Sequence, residues 1–444
     1  MSQRNHSSAP ASSPQPQSPP ELKAGEYAAL VGVDWGDRTH SVAIALPGKE
    51  TEEVSTFEHS AESLHQWLDS LEMRFQRQRV AFAVEAGSKP VTRALRGRSW
   101  AVIYPIHPAS SSRMRTAFTP SGAKDDEPDA LTLLSILQKH REELRALLPD
   151  DPQTEKVALL NIARRTAIDR RTLLSNALTS LLKSYYPQAI ELVGKNVRSP
   201  LALDFLSRWP DLTSLKKAKP ATLQNFYQAH NVRRPETIAA RLQLTASATP
   251  LTTSRAQQEV SVLELQTLVA ELRVLQKHID RIEDALAEAF TSHPDAFLFR
   301  NLPGAGAALA PRLLAAFGSD RSRYPDAASL QEYSGVAPVT EKSGSRKWVH
   351  WRLGAPGFLR QSFVEWAGQT VVYSTWAHAY YQQQKARGAG HWAILRSLAF
   401  KWIRILWRCW QDRTPYNEKR YLDQLKKRSS PLTLLIEKLS IQNT

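Results

Sequence analysis

Ala29-Leu30-Val31-Gly32-Val33-Asp34-Trp35-Gly36 is an apolar run that carries a single carboxylate. It reads as a buried strand closed by a Gly36-Asp37 turn. An aspartate inside such a strand must be satisfied by a partner or an ion, because burying an unpaired charge is costly. Ser41-Val42-Ala43-Ile44-Ala45-Leu46 reads as the neighbouring strand, and Glu53 to His59 as the third of a meander. A helix over 61–77 follows, with Leu64, Trp67, Leu68 and Leu71 at helical spacing. Next come the strand Val80-Ala81-Phe82-Ala83-Val84-Glu85, a short helix near Val91 to Leu95, and the strand Trp100-Ala101-Val102-Ile103-Tyr104. A helix from about Asp126 through Leu147 ends this segment.

Three meandering strands, a helix, then alternating strands and helices is the order of an RNase H-like fold. Such an order brings Asp34 and Glu85 to adjacent strands and places Asp126 and Asp129, at i and i+3, on one helix face. Converging carboxylates of this kind suit two-metal chemistry on phosphodiesters, and oxygen-only ligands suit Mg²⁺, or Mn²⁺ in its place. A solvated helix start is the blander account of the acids at 125–127, since the helix dipole favours acidic residues there. Asp125 and Asp129, at i and i+4, also share a face, so spacing leaves Asp125 and Asp126 as alternatives.

Beyond residue 148 the pattern is helical. Leu265, Leu268, Leu272, Leu275, Ile279, Ile282 and Leu286 form a heptad seam that needs a partner helix. The stretch Val157 to Leu182 is a candidate partner, within the chain or across a dimer, and residues 187–250 form an insertion with short helical pieces. Leu302-Pro303-Gly304-Ala305-Gly306 before an apolar helix over 308–317 resembles a helix-hairpin-helix turn, whose glycines let backbone N–H groups approach a phosphate. Eight of the twelve tryptophans lie between Trp348 and Trp410, interleaved with basic residues. That mixture suits phosphate contacts with base or sugar stacking. A serine in the Gly-containing loop Ser343-Gly344-Ser345, flanked by Lys342, Arg346 and Lys347, has the chemistry of a nucleophile but the setting of a solvated turn.

Composition narrows the class. The 58 Lys and Arg against 43 Asp and Glu leave +15, which favours a polyanionic partner. No run of 18 or more apolar residues offers a membrane span. One cysteine, Cys409, excludes an intramolecular disulfide framework and fits a cytoplasmic, nucleoid-associated protein. The first 25 residues, rich in Ser, Pro and Gln, read as a disordered tail.

Five segments occur together and in order: Val31-Gly32-Val33-Asp34, Val84-Glu85-Ala86-Gly87, Lys124-Asp125-Asp126-Glu127-Pro128-Asp129-Ala130, Leu302-Pro303-Gly304-Ala305-Gly306, and Ser334-Gly335-Val336-Ala337-Pro338 through Ser343-Gly344. In this the chain resembles the DEDD transposases of insertion sequences, relatives of the Piv-type DNA invertases and bridge-RNA-guided recombinases. The resemblance implies an α/β plus α architecture: a RuvC-like catalytic domain over 26–148 and a long antiparallel coiled coil over 149–295. A mainly helical transposase domain over 296–430 and a tail over 431–444 complete it. It implies Asp34, Glu85, Asp126 and Asp129 as catalytic metal ligands, with Asp125 standing where the family usually has Thr. It also implies Ser343 as nucleophile, with Ser345 as the fallback. Lys124, Gly304, Gly306, Lys342, Arg346, Lys347, Arg352 and Arg360 are the implied nucleic-acid contacts. The implied reaction joins Ser343 to a DNA phosphate, assisted by the quartet of a partner subunit. The implied partners are donor and target DNA, a structured guide RNA, and further copies of the chain as a dimer or tetramer.

Other classes fit less of the chain. A two-metal nuclease or junction resolvase would use the same acids without the serine. An actin-like kinase begins with a similar Asp and Gly but needs further phosphate loops. His230-Asn231-Val232-Arg233 matches a tyrosine-recombinase pattern by chance, standing alone in the insertion. A non-catalytic nucleic-acid scaffold would leave the intact acids unexplained.

Overall fold

A computed structural model of the chain describes residues 27–86, 89–118, 126–147, 150–350, 352 and 354–442. The expected tail over 1–25, Lys124 and Asp125 lie outside the described residues. The chain divides into two compact units, Met1–Pro149 and Asp150–Thr444.

The first unit is built on a five-stranded mixed sheet in the order β3-β2-β1-β4-β5. Its strands are β1 (Ala29–Trp35), β2 (Thr39–Ala45), β3 (Glu53–Glu58), β4 (Val80–Glu85) and β5 (Ala101–Ile106). β1, β2 and β3 form the antiparallel meander, and β1, β4 and β5 run parallel. Helices α1 (Ala61–Arg74) and α2 (Lys89–Arg96) contribute Leu64, Leu68, Leu71, Val91 and Leu95 to a core with Ala29, Val31, Val33, Val80, Phe82 and Val84. Strand alternation turns Leu30, Gly32, Asp34, Ala81, Ala83 and Glu85 to the other face. Helix α4 (Asp126–His140) covers that face with Ala130, Leu133, Leu134 and Leu137.

Two local expectations are corrected here. The helix begun at Asp126 ends at His140 rather than Leu147, because Leu147 bridges to Ile103 and covers the edge of β5. Between β5 and α4 lies a helix the sequence reading left out, α3 (Pro108–Phe118).

The second unit is helical apart from one hairpin. α5 (Pro152–Tyr185) starts on an Asp151 cap that accepts from the backbone of Gln153 and Thr154 at 2.9 and 3.0 Å, with Pro152 pre-set for the first turn. Five short helices follow: α6 (Gln188–Val193), α7 (Pro200–Arg208), α8 (Leu212–Lys216), α9 (Pro220–Ala229) and α10 (Pro235–Ser247). The chain returns along α11 (Arg255–Thr291), which carries the leucine seam. Val157 packs with Leu286 and Phe290, Ala167 with Leu275 and Ile279, and Leu178 and Leu182 with Leu265 and Leu268. That reversed order makes the pair antiparallel and places the seam's partner within the same chain. The insertion closes one end of the pair, burying Tyr186, Phe205, Trp209 and Tyr227. His230 is structural there, its ring 4.4 Å from that of Phe226 and its Nε2 3.5 Å from Asp204.

The remaining elements are α12 (Ala296–Phe299), α13 (Gly306–Phe317), α14 (Ala327–Tyr333), β6 (Val339–Ser343), β7 (Arg346–His350), α15 (Gly357–Tyr373), α16 (Thr375–Ala386), α17 (His391–Gln411), α18 (Glu418–Lys427) and α19 (Leu432–Gln442). Trp366, Trp376, Trp402 and Trp410 are fully buried at their centre. Their indole N–H groups donate to the Pro303 carbonyl, the Tyr416 hydroxyl, the Thr370 hydroxyl and the Gly318 carbonyl at 2.9–3.2 Å. The tryptophans expected to stack on bases are therefore in large part core, each with its one polar atom satisfied. The tail beyond residue 430 also docks, through Leu432 and Ile436, on this same core.

Candidate active site and serine hairpin

Glycine at position 32 decides where the acidic residues go. A Cβ there would meet the Ala130 carbonyl oxygen at 2.2 Å and the Leu134 nitrogen at 2.7 Å, so α4 lies directly on the backbone of β1. The helix runs antiparallel to the strand: Arg141, just past its end, stacks over Tyr27, just before β1 begins, at 5.3 Å. The first turn of α4 therefore points toward the C-terminal end of β1. Asp34 stands there, two residues beyond Gly32 on the same face, about 6.6 Å further along. Val33 pairs with Val84, so Asp34 and Glu85 end adjacent parallel strands about 4.8 Å apart. Both are half-buried. Asp129 is half-buried at the start of α4, and the Asp126 side chain lies outside the described residues.

Helix α3 supplies two residues that sequence reasoning missed. Ser111 Oγ donates to Glu85 Oε1 at 3.2 Å, and Arg115 Nη1 pairs with both carboxylate oxygens of Asp129. Ser111 and Arg115 are i and i+4, so one turn of α3 spans from one acid to the other. A basic residue one helical turn after a serine, in a segment beginning at a proline that follows a strand, is the available signal. The run Ser110-Ser111-Ser112 hides it, because serine is an indifferent helix former.

The donor set on this face is carboxylate oxygen, which fits a hard divalent cation in its chemistry. Among the described residues, no group of three or more His, Cys, Asp or Glu side chains is placed to hold a metal ion. Arg115 is ion-paired with Asp129 on this face.

Ser343 belongs to a different structure from the loop expected of it. β6 and β7 pair antiparallel, with Ser343 opposite Arg346 and the two residues Gly344 and Ser345 as the turn. Gly344 has φ +59, the positive value that the first central position of a type II′ turn requires. Ser343 thus stands exposed at the tip of a β-hairpin, on the same face as Arg346, Glu341, Trp348 and His350. On the other face Lys342 lies directly opposite Lys347, a like-charge pair that weakens the hairpin. Glu341 and His350 are paired at 2.6 Å nearer its base.

The other predicted contacts fall into two groups. Arg352 is 4.0 Å from Glu332, and Arg360 donates to the Arg352 carbonyl oxygen at 3.5 Å, so both brace the segment after the hairpin. Gly304 has φ +68 and packs on α15, where a Cβ would meet Gln369 at 2.8 Å, whereas Gly306 opens α13 with clear space around it. Cys409 is half-buried, its thiol pushed up to about 11 chiefly by burial.

Residues 31–187 match a DEDD transposase family of IS110 elements, described as "Transposase". Residues 296–382 match a second model, "Transposase IS116/IS110/IS902 family". The chain is an insertion-sequence transposase of the IS110/IS116 family. The transposase is 28% identical over 400 residues to the "Mini-circle putative transposase for IS117" of Streptomyces coelicolor, covering 88% of this chain and 95% of the relative. It is 25% identical over 391 residues to the insertion element IS116 uncharacterized 44.8 kDa protein of Streptomyces clavuligerus, covering 86% and 94%. The IS110 uncharacterized 43.6 kDa protein of Streptomyces coelicolor is 24% identical over 314 residues, covering 70% and 76%. The first family match takes in Asp34, Glu85, Asp126 and Asp129, and the second takes in Ser343. Membership implies an enzyme that cuts and rejoins DNA. No described helix of the transposase is long and apolar enough to cross a membrane.

Proposed function

We propose that this transposase cuts and rejoins donor and target DNA through a covalent phosphoserine link formed by Ser343, assisted by an RNase H-like acidic site. The observation that carries the reading is the position of Ser343 at an exposed hairpin tip, flanked by Lys342, Arg346 and Lys347. In the first step the Ser343 Oγ–P bond forms as the bond from phosphorus to the leaving strand's oxygen breaks. The serine proton ends on that oxygen, directly or through solvent. A strand end bearing a hydroxyl then attacks the phosphoserine, regenerating Ser343 and joining the new strand. The number of phosphoester bonds is unchanged, so no outside energy source is required. Arg346, across from Ser343, is placed to bind the phosphate oxygens on which charge builds.

Asp34, Glu85, Asp126 and Asp129 would hold Mg²⁺ or Mn²⁺, which when bound supplies positive charge against a phosphate oxygen. Ser111 orients Glu85 for that role, and Arg115 holds Asp129 in place. The sheet order, with acids at the ends of β1 and β4 and a helix laid on the Asp34 face, supports an RNase H-like unit. A structured guide RNA would choose the sequences, and the net charge of +15 suits both nucleic acids. Strand exchange between two DNAs calls for a homo-oligomer.

The test uses the full chain with its element's flanking DNA and looks for a protein–DNA adduct that survives denaturation. Wild type and Ser345→Ala form it, and Ser343→Ala does not. Metal-dependent cutting that persists in Ser343→Ala, with no adduct in any variant, would instead make the enzyme a two-metal nuclease. Sequencing of copurified RNA tests the guide, and a preparation that recombines DNA free of RNA removes it.

A further inference from the structure

A cleft of about 470 Å³ lies between the base of the β6–β7 hairpin and one face of α17. That volume is in the range of small-ligand sites, about 300–1,000 Å³. Among the described residues Arg396, Lys401 and Arg404 line it and no carboxylate does; the hairpin's acid, Glu341, is paired to the lining residue His350. The Lys401 ammonium sits 5.0 Å from the centre of the Tyr380 ring. Burial, and then the charge of Arg404, hold its pKa below the ordinary lysine value. A half-buried cation beside a second cation is unfavourable until an anion joins them.

Apart from His350 and Ser397, the rest of the lining is apolar or aromatic. Phe400 and Tyr380 line it together with the Gly335–Pro338 turn. Arg396 and Arg404 are eight residues apart on α17, about 12 Å along the helix, with Phe400 midway between them. Cations spaced along an aromatic surface suit a polyanionic strand with one base out of its stack. A simple anion would leave the aromatic surface unused. A cleft of about 470 Å³ is sized for a single nucleotide rather than for a duplex. Val339 and His350 pair at the hairpin base, four residues from Ser343, about 13 Å along the strand.

We propose that this cleft holds an unstacked nucleotide of the DNA strand that Ser343 attacks, a few nucleotides from the scissile phosphate. Arg396, Lys401 and Arg404 grip the backbone, and the base lies against Phe400 and Tyr380. The choice of DNA rests on the serine reading above; the nucleotide chemistry of the cleft does not.

The experiment is photo-crosslinking of the full chain to single-stranded DNA bearing 5-iododeoxyuridine, with peptide mapping, alongside anisotropy titrations at several salt concentrations. Crosslinks are expected on the peptides holding Tyr380 and Phe400. Arg396→Ala/Arg404→Ala weakens binding at least about tenfold and lowers the salt slope by about 1.4, the single-strand value for two phosphates. Phe400→Leu, which preserves an apolar side chain, weakens binding with little change in slope. Ser343→Ala changes none of these readings, so loss of the serine mechanism and loss of the cleft are separable. Crosslinks confined to other peptides, unchanged affinity in the double variant, or crosslinking there by an RNA of the same sequence but not by DNA would each overturn the proposal.

Discussion

The acidic face of the sheet and the serine hairpin, the two candidate sites of this transposase, are built in opposite ways. Asp34 and Glu85 are fixed by strand register, α4 is seated on Gly32, and Ser111 and Arg115 hold Glu85 and Asp129 from one turn of α3. Ser343 has no such housing. It stands on a two-stranded ribbon in which the pair next to the tip, Lys342 and Lys347, repels itself. Fold contacts organise the first site, whereas the second leaves its like charges exposed at the tip of a ribbon.

The largest effect that tests this contrast is on the acids. Asp34→Asn is expected to lower DNA cutting about 10²–10³-fold, with the thermal unfolding midpoint close to wild type. Cutting at the wild-type rate would remove the acidic face from the reaction.

Next is the pH dependence of the sheet that carries the acids. His40 is fully buried, stacked on Trp35 at 3.6 Å, and among the described residues neither ring nitrogen has a hydrogen-bond partner. Burial, and then the neighbouring His59, lower its pKa from 6.5 to about 4. The unfolded chain takes up a proton below pH 6.5 and the folded chain does not. The stability gained from neutral His40 is therefore present above pH 6.5 and is lost as pH falls toward 4, to the extent of about 2–3 kcal/mol. His40→Phe should flatten that part of the profile in urea unfolding followed from pH 7 to 4. An unchanged slope would mean that the fold accommodates the charged ring.

A smaller effect separates packing from chemistry. Gly32→Ala forces a methyl into the backbone of α4 and is expected to cost about 1–3 kcal/mol. Cutting should fall with it while the Ser343 hairpin still binds DNA. The smallest effect is at the hairpin: Lys342→Ala lowers the salt slope of duplex binding by about 1. Stability should change by less than about 0.5 kcal/mol, toward stabilisation if relief of the Lys347 repulsion dominates.

β1 and β2 are legible in sequence because each is a largely apolar run closed by turn residues, and Asp34 stands out because it interrupts one; the mostly exposed β3 is read from its place in the meander. The leucine seam of α11 is equally plain, and its partner α5 is found within the chain. Ser111 and Arg115 escape notice because their helix is short of good helix formers and gains its place from contacts with distant acids. The hairpin is hidden by its charges: Lys342, Arg346 and Lys347 blur the alternation that marks a strand, and Ser343-Gly344 reads as a solvated turn. The C-terminal tryptophans mislead for another reason. Interleaved with arginines they look like a stacking surface, yet Leu395, Leu398, Trp402, Leu406 and Trp410 recur every three or four residues. Helical periodicity there outweighs composition.

That buried aromatic cluster also has an optical consequence. The Trp402 ring lies 4.7 Å from both Trp366 and Trp376, each inclined to it by about 50°. Indoles so held in a fixed, asymmetric core are expected to give the native state a near-ultraviolet circular dichroism signal that disappears when that packing is lost. The chain therefore carries its own spectroscopic gauge: variants at Ser343 or along the cleft can be certified as folded from this signal, without a label and without any assay of recombination.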